Sequence, residues 1–281
     1  MKTFRDRVAV VTGAASGIGR GMAERFAAEG MKIVLADVEE QALAKAAAEM
    51  KSAGAAVLAV RTDVSKAADV AALAKKTRET FGGAHVLCNN AGVSVAGPMW
   101  EKTVQDWEWI LGVNLWGVIH GIREFVPMML AQDAEAHIVN TASMAGLVSG
   151  PGMAPYNVTK HSVVTMSESL HHELAMASQG RVKVSVLCPG WVNTKIAESE
   201  RNRPADLPET GPAATGQEVL IEMVKGFLAN GLPPARVADL VFAAIRDERF
   251  YILTHPEWKP MIRIRMEDIL EERNPSYSGI A

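Results

Sequence analysis

The sequence predicts an α/β fold in which a parallel sheet of about seven strands carries helices on both faces. Two observations predict it: short β-branched runs alternate with longer segments of helical periodicity, and this alternation repeats along the chain. Strands separated by helices favour right-handed crossovers, and such doubly wound sheets bind ligands beyond the carboxyl ends of their strands. We therefore expect functional residues where strands end.

Each element follows from its local pattern. Strands are predicted at 8–11, 33–36, 57–60, 85–88, 136–141, 182–187 and 250–253. Helices are predicted at 17–29, 39–53, 66–81, 103–130, 155–178, 217–229 and 235–246. Because 48% of the 281 residues are hydrophobic, the chain has enough apolar material for one α/β core, and we expect a single domain over 1–281.

Two segments depart from the alternation. Residues 197–218 are poor in apolar side chains and are interrupted by Pro204, Pro208, Gly211, Pro212 and Gly216. Such a composition is equally typical of a floppy insertion and of a lid, and its place after the last motif favours a substrate lid at about 195–232. A C-terminal extension at about 255–281 is expected to cover either a site or an interface.

Composition excludes several classes of protein. The net charge is −3 and no basic block is present, which argues against a nucleic-acid partner. No apolar run approaches the ~20 residues of a membrane helix, and the N-terminus lacks a signal-peptide core, so we expect a cytoplasmic protein. Cys88 and Cys188 lie apart in strand-like runs, which predicts buried, reduced thiols and no metal site.

A glycine-rich turn follows the first predicted strand. It reads Thr12-Gly13-Ala14-Ala15-Ser16-Gly17-Ile18-Gly19 and leads into a helix. Glycines let the backbone approach a pyrophosphate, and the helix N-terminus supplies free amides and a positive dipole. The same glycines would also serve a plain strand-to-helix turn. In a Rossmann-type sheet, the candidate cofactor-binding residues here are Gly13, Ser16, Gly17, Ile18 and Gly19.

Asp37 ends the second predicted strand, 18 residues beyond Gly19. The dinucleotide-binding fold places an acid there against the ribose hydroxyls of the adenosine, and a carboxylate repels the 2′-phosphate of NADP. Asp37 therefore predicts NAD(H). It also has the pattern of a helix N-cap, with Glu40 three residues later, and one residue can serve both roles.

Tyr156 and Lys160 are four residues apart on a predicted helix, which places the phenol and the ammonium on one face. Ser143 follows the fifth predicted strand. Free tyrosine titrates near ~10, so proton transfer near neutral pH requires a stabilised phenolate, and Lys160 can stabilise it. The pair alone is typical of a surface contact. Together with Ser143 and the glycine motif, it indicates a catalytic site.

The glycine motif, Ser143 and the Tyr156-x-x-x-Lys160 pair resemble the classical short-chain dehydrogenase/reductase (SDR) family, over about residues 5–195. The resemblance implies that Tyr156 exchanges a proton with the substrate, that Ser143 hydrogen-bonds its oxygen, and that Lys160 holds the nicotinamide ribose. It also implies a fourth catalytic residue, Asn114, whose backbone carbonyl lies at a helix irregularity and binds a relay water.

The resemblance implies further cofactor-binding residues at successive strand ends. They are Asp63, Val64, Asn90, Ala91, Gly92, Pro189, Gly190, Val192 and Thr194, with Tyr156 and Lys160. Neither Ser16 nor Val38 is the Arg or Lys that NADP(H)-preferring relatives commonly carry, which favours NAD(H). Asp63 can also be read as a cap for a helix beginning near Ser65, and the asparagine pair Asn89-Asn90 as a turn.

The expected nicotinamide pocket is almost entirely apolar, which predicts an oxidoreductase for a hydrophobic secondary alcohol or ketone. Candidate substrate-binding residues are Ser143, Val95, Ala145, Met153, Tyr156 and Trp191. Lys195, Arg201 and Arg203 leave an anionic substrate open. The alternatives are an NADP(H)-dependent 3-oxoacyl-thioester reductase, disfavoured by Asp37, and a catalytically silent dinucleotide-binding protein, disfavoured by the complete tetrad.

The predicted helices at 103–130 and 155–178 carry apolar residues around much of their circumference, more than one sheet-facing stripe requires. We therefore expect a homodimer or homotetramer. The resemblance implies the same, because family members commonly form a four-helix dimer interface with these helices.

Overall fold

The computed structural model describes residues 1–208 and 216–276. Within them, a seven-stranded parallel sheet has the order β3-β2-β1-β4-β5-β6-β7. Its strands are β1 (Val8–Thr12), β2 (Lys32–Asp37), β3 (Val57–Arg61), β4 (Val86–Asn89), β5 (Ala136–Thr141), β6 (Val182–Cys188) and β7 (Tyr251–Leu253). The predicted α/β fold is confirmed, and every predicted strand boundary is correct to within one residue.

The helices also follow the prediction closely. They are α1 (Gly17–Ala28), α2 (Glu40–Ser52), α3 (Ala67–Phe81), α4 (Val104–Leu111), α5 (Gly117–Ala131), α6 (Ala154–Ala177), α7 (Gln217–Ala229), α8 (Pro234–Asp247) and α9 (Lys259–Leu270). The single helix predicted at 103–130 is two helices, α4 and α5, joined by a π-helical turn over Gly112–Trp116. The C-terminal extension folds as α9, and its last residues, 277–281, lie outside the described chain.

The segment predicted to lack regular structure contains some. It begins with a kinked 3-10 helix over Ile196–Asn202, whereas its last residues belong to the helix that was predicted at 217–229 and is present as α7. That part of the prediction was wrong because short polar 3-10 turns have no apolar periodicity to reveal them. The predicted breaks at Gly211 and Pro212 lie outside the described residues.

Helices cover both faces of the sheet because its strands are buried on both sides. Every residue of β1 is buried. Ala9 and Val11 pack in a core cluster with α1, α2 and α8, whereas Val8 and Val10 pack in a second cluster with α3, α5 and α6. An uninterrupted apolar run of this kind is typical of a parallel strand between two helical layers.

The chain changes direction across the sheet at β1, which pairs with β2 on one side and with β4 on the other. Loops leaving two such neighbouring strands diverge, which opens a crevice at their carboxyl ends. Gly13 follows β1 and Asn90 follows β4, so the fold brings the glycine motif to the crevice from one strand and the asparagine pair from the other.

Cys88 and Cys188 are free and buried, in agreement with the prediction. Burial raises the pKa of Cys188 to about 12, so this thiol stays protonated near neutral pH. The described residues contain no group of three His, Cys, Asp or Glu side chains arranged to hold a metal ion. None of the described helices is both long and apolar enough to span a bilayer.

Candidate active site

A cavity of ≈ 610 Å³ lies at the carboxyl ends of the strands. Predicted cofactor-binding residues line it from one end to the other: Gly13, Ser16, Gly17, Ile18, Asp37, Asp63, Val64, Asn90, Ala91, Gly92, Tyr156, Lys160, Pro189, Gly190, Val192 and Thr194. Ser143 lines it as well. Residues chosen from separate motifs along the sequence therefore share one cavity.

The glycine turn has the backbone conformation that its sequence predicts. Gly13 and Gly17 have φ values of +63° and +54°, in the left-handed region that favours glycine. A Cβ atom on Gly13 would lie 2.9 Å from the Cα of Ala91. Gly19 is absent from the described cavity lining: a Cβ there would lie 2.1 Å from the carbonyl oxygen of Gly13, so this glycine allows α1 to pack behind the turn.

Asp37 lies at the end of β2 and ties it to the glycine turn. Its Oδ2 accepts a hydrogen bond from the backbone N–H of Ala15 at 2.9 Å, and its Oδ1 accepts one from Glu39 at 3.0 Å. Burial raises the pKa of Asp37, and these backbone donors oppose the rise. The expected N-cap role was wrong, since Glu39 is the N-cap of α2.

Asp63 and Asn90 organise the loops after β3 and β4. Asp63 Oδ1 accepts from both the backbone N–H and the hydroxyl of Ser65, at 3.1 and 2.7 Å. It does not cap α3, whose N-cap is Lys66. The side-chain amide of Asn90 donates to the carbonyl oxygen of Thr12 at 3.0 Å, and its backbone N–H donates to the Thr12 hydroxyl at 2.9 Å. These bonds join the two strands that border the crevice.

Tyr156 and Lys160 lie on α6 with the lysine Nζ 5.4 Å from the centre of the tyrosine ring. Nζ donates a hydrogen bond to the carbonyl oxygen of Thr141 at 2.9 Å. Burial lowers the pKa of Lys160 to about 8. Burial raises the pKa of Tyr156 to about 12, and a hydrogen bond with Ser143 acts against that rise. The site therefore holds two groups whose burial favours their neutral forms.

Ser143 follows β5 and connects it to the loop after β6. Its Oγ accepts from the backbone N–H of Ala145 at 3.1 Å and donates to the carbonyl oxygen of Pro189 at 3.4 Å. The backbone N–H of Met144 donates to the same carbonyl at 2.9 Å. The hydroxyl is thus held beside the Pro189 segment while remaining part of the cavity wall.

Asn114 lies in the π-helical turn, at the irregularity that the family resemblance implies. Its side chain is absent from the described cavity lining and is 1% exposed. Oδ1 accepts from the backbone N–H of Val93 at 2.8 Å, and Nδ2 donates to the Val93 carbonyl at 2.9 Å and to the Thr159 hydroxyl at 3.2 Å. The side chain therefore fixes the loop after β4 against α6.

Of the six predicted substrate-binding residues, Ser143 and Tyr156 line the cavity. Val95, Ala145, Met153 and Trp191 are not among the described lining residues. The Trp191 ring stacks on Phe227 of α7, with ring centres 5.1 Å apart and planes at 12°, and meets the edge of Trp258. Its aromatic face is thus occupied by other elements of the same chain.

Several lining residues were missed from the sequence. Trp109 and Val113 are four residues apart on the segment from α4 into the π turn, and both face the cavity. The capping box of Thr103 and Asp106 marks the start of α4 in the sequence, but it does not indicate which side of the helix faces the cavity. The 3-10 segment contributes two more missed residues, Ser199 and Asn202, whereas Arg201 and Arg203, which the sequence placed near the substrate, line the cavity as well.

Comparisons with known proteins agree with this geometry. The family model described as short chain dehydrogenase matches residues 7–205. The chain is 39% identical to a CLA biosynthesis dehydrogenase/reductase of Lactiplantibacillus plantarum, over 98% of this chain and 97% of that protein. It is 34% identical to a C alpha-dehydrogenase of Sphingobium sp. strain SYK-6, over 99% of this chain and 90% of that one.

Solved structures extend the likeness to three dimensions. A short chain dehydrogenase/reductase from Burkholderia phymatum in complex with NAD superposes with a TM-score of 0.98 at 48% identity, covering 100% of both chains. A putative short-chain dehydrogenase from Novosphingobium aromaticivorans gives a TM-score of 0.81 at 31% identity, over 100% of this chain and 91% of that one. The chain belongs to the classical short-chain dehydrogenase/reductase family and is an oxidoreductase.

Proposed function

We propose that this oxidoreductase transfers hydride between NAD(H) and a hydrophobic secondary alcohol or ketone. One observation carries the proposal: Ser143, Tyr156 and Lys160 line the same cavity as the glycine turn and Asp37. The NAD bound by the similar Burkholderia phymatum protein supports the choice of cofactor. When bound, NAD supplies or accepts the hydride.

The residues present fit NAD better than NADP. Gly13 and Gly17 leave the turn open to a pyrophosphate, and Asp37 offers a carboxylate to ribose hydroxyls. A 2′-phosphate needs a free cation. Three of the cations lining this part of the cavity already face carboxylates within 4 Å: Arg61 faces Asp69, Lys66 faces Asp63, and Arg201 faces Glu39. Lys195 also lines the cavity, and its charge acts on Glu39.

In the proposed reaction, Tyr156 takes the hydroxyl proton during oxidation and returns it during reduction. A phenolate forms near neutral pH only if surrounding groups oppose the effect of burial on its pKa. The hydrogen bond with Ser143 opposes that rise. In the proposed reaction, the positive charge of Lys160, whose Nζ lies 5.4 Å from the centre of the ring, adds to the effect of this bond, and Ser143 also holds the substrate oxygen. Lys160 has three N–H donors, of which Thr141 takes one, and the others serve the nicotinamide ribose.

Asn114 completes the proposed tetrad through its backbone. A π-helical turn interrupts the regular pairing of helix carbonyls, which frees an acceptor for a relay water. The remaining candidate residues keep their proposed roles: the loop residues after β1 to β6 bind the cofactor, and Val95, Ala145 and Met153 lie around the substrate when it is bound. Trp191, whose ring stacks on Phe227, is proposed to support the substrate end from behind.

We also propose that the chain works as one domain with a substrate lid at about 195–232 and an extension at about 255–281. Residues 209–215 of this lid lie outside the described chain. Support comes from the lid residues Ser199, Arg203 and Pro204, which line the cavity.

A homodimer or homotetramer is proposed as the working assembly, in the cytoplasm and without a nucleic-acid or membrane partner. Apolar side chains exposed on the π turn and α6 support it: Trp116 is 50% exposed, Val158 46% and Met176 80%. Light scattering tests this proposal, and a strict monomer at micromolar concentration would contradict it.

The cofactor test is a fluorescence titration with NADH and with NADPH. We expect NADH to bind at least about tenfold more tightly, with Asp37→Ala reducing that ratio, because the carboxylate repels the 2′-phosphate. The substrate test follows nicotinamide absorbance with a panel of hydrophobic secondary alcohols and ketones. Tighter NADPH binding with turnover of 3-oxoacyl thioesters would favour the alternative reductase, and cofactor binding without any turnover would favour a silent binding protein.

A further inference from the structure

Segment 196–208 crosses the cavity and carries two arginines, each of which contacts a carboxylate from another part of the chain. Arg201 Nη2 lies 2.9 Å from Glu39 Oε1, beside the turn that holds Asp37. Arg203 Nη2 lies 2.5 Å from Asp106 Oδ1, at the end of the cavity that the buried Trp109 lines. The second contact, between Arg203 and Asp106, determines the charge at that end of the cavity.

The guanidinium of Arg203 is almost completely enclosed. The side chains of Arg203 and Asp106 are each 7% exposed. Besides Asp106, the guanidinium donates from Nε to Glu200 at 2.6 Å and from Nη1 to the carbonyl oxygen of Leu207 at 3.2 Å. Its carbon lies 4.5 Å from the centre of the Trp109 ring. All three nitrogens therefore donate to protein oxygens, and the flat face is stacked on an aromatic ring.

Asp106 is itself fixed in place. Its Oδ2 accepts from the backbone N–H of Thr103 at 3.0 Å, and its own N–H donates to the Thr103 hydroxyl at 3.1 Å, which completes the capping box of α4. Burial alone raises the pKa of Asp106, but hydrogen bonds from Arg203 and Thr103 outweigh it, so the pKa is lowered. The carboxylate is therefore ionised and bound to the start of the helix that carries Trp109.

The charges around Arg203 leave no unpaired cation at this end of the cavity. One guanidinium faces two carboxylates, from Asp106 and Glu200. Trp109 and Val113 line the cavity with apolar surface, and Leu207 packs in the same cluster. A substrate carboxylate entering here would lose its hydration without finding an unpaired cation, and it would meet the field of two like charges. A neutral apolar group would meet neither penalty.

We propose that Arg203, whose charge is paired with Asp106 and Glu200, is a specificity-determining residue that closes the substrate end with a surface offering no unpaired cation and excludes carboxylate-bearing substrates. This proposal rests on the proposed function for the identity of the substrate end. It makes Arg203 a structural wall and not an anchor for an anion, although an arginine in a substrate lid is commonly suited to the latter.

The test is a calorimetric titration of the full-length protein, with and without saturating NADH, using octanamide and octanoate as matched neutral and anionic ligands. In the unmodified protein, we expect octanamide to bind at least about tenfold more tightly. Asp106→Asn keeps the size of the side chain and an oxygen for the Thr103 cap but removes one charge. We expect it to strengthen octanoate binding and to reduce the preference by at least about fivefold.

Two further variants control for folding and for loosening of the segment. Glu200 is 46% exposed, so Glu200→Gln removes the second carboxylate without disturbing the core, and it is expected to change the preference in the same direction. Glu39→Gln breaks the ion pair at the other end of the same segment and is expected to leave the ratio within about twofold. If Asp106→Asn does not fold, Glu200→Gln decides the question.

Four results would overturn the proposal: tighter binding of octanoate to the unmodified protein, binding of neither ligand, an unchanged ratio in the charge-removing variants, or an equal change in Glu39→Gln. Because the titration measures binding, it is independent of turnover. A protein that prefers octanamide as described but turns over no alcohol with NAD(H) would contradict the proposed function alone.

Discussion

The Nζ of Lys160 donates a hydrogen bond to the carbonyl oxygen of Thr141 at 2.9 Å, in a site where the lysine is only 3% exposed. No described carboxylate lies within ion-pair distance of it. Burial consequently lowers the pKa of Lys160 from 10.5 to about 8. Near neutral pH, the protein therefore holds a buried charge that opposes folding, and the proposed catalytic role explains why.

Lys160→Met is expected to stabilise the protein at pH 7 while abolishing turnover. Because the pKa is lowered to about 8 in the folded state, the charge on Lys160 destabilises the fold by about 3 kcal/mol. This destabilisation is complete below pH 8 and decreases as the pH rises towards 10.5. The substitution also removes the hydrogen bond to Thr141, which lowers the free energy of unfolding by about 1 kcal/mol. Urea denaturation should show a net gain of about 1–2 kcal/mol at pH 7 that disappears by about pH 10. The exposed control, Lys75→Met, should show no such pH dependence.

Tyr156→Phe is expected to reduce turnover by at least about 10³-fold, because the phenol is the proposed proton carrier. The ring that contacts the cofactor cavity is preserved, so NADH affinity should stay within about threefold of the original. Stopped-flow absorbance measures the first quantity and fluorescence titration the second. Turnover comparable to that of the unmodified protein would remove Tyr156 from the reaction.

Ser143→Ala is expected to move the pH profile of alcohol oxidation to higher pH. Burial raises the pKa of Tyr156 to about 12, and a hydrogen bond with Ser143 opposes that rise, so removing the hydroxyl leaves the phenolate less stable. The rising limb of log kcat against pH should therefore shift to the alkaline side. Ser143→Thr keeps a hydroxyl and serves as the control; an unshifted limb in both variants would contradict this coupling.

Asn114→Ala is expected to lower the free energy of unfolding by about 2–4 kcal/mol, because it leaves the buried N–H and carbonyl of Val93 without partners. Chemical denaturation measures the change. Asn193→Ala is the matched control, since Asn193 is exposed and makes one long bond, 3.4 Å, to the carbonyl of Ala229. Equal losses in the two variants would refute the structural role of Asn114.

Gly190→Ala is expected to weaken NADH binding by about tenfold or more. An added Cβ would lie 2.6 Å from the Trp258 ring and 2.7 Å from the His255 ring, and the Gly190 N–H is held by Thr254 at 3.1 Å. The loop must therefore shift towards the cavity. Gly226→Ala, which meets nothing within 4 Å, should leave NADH binding unchanged. Trp258→Leu in the Gly190→Ala background should restore part of the affinity.

Features with a local signal were predictable from sequence. The strands are continuous β-branched runs that end at or just before residues such as Gly13, Asp37 and Asn90, so the parallel topology alone gathers these residues at one edge. The Tyr156–Lys160 pair follows from helix periodicity. Both kinds of prediction depend only on spacing along a regular element.

Features that depend on long-range packing were not predictable. Arg203 and Asp106 are 97 residues apart, and nothing in either local sequence indicates that their side chains meet. Trp191 directly follows the Pro-Gly turn, which suggested a substrate contact, but its ring stacks on Phe227 instead. The direction of a loop side chain is decided by the elements that fold back on it, and local patterns do not contain that information.

Glu39 accepts hydrogen bonds from Arg201 at 3.1 Å and from Asn202 at 2.9 Å, and it lies two residues beyond Asp37. A basic residue introduced into this turn to hold a 2′-phosphate would also compete with Arg201 for Glu39. A substitution that changes the preference from NAD to NADP would therefore also loosen the contact that holds segment 196–208 over the cavity. The effects of substitutions that change coenzyme preference and of substitutions in segment 196–208 should therefore be non-additive, because Glu39 takes part in both the coenzyme turn and the contact with the segment.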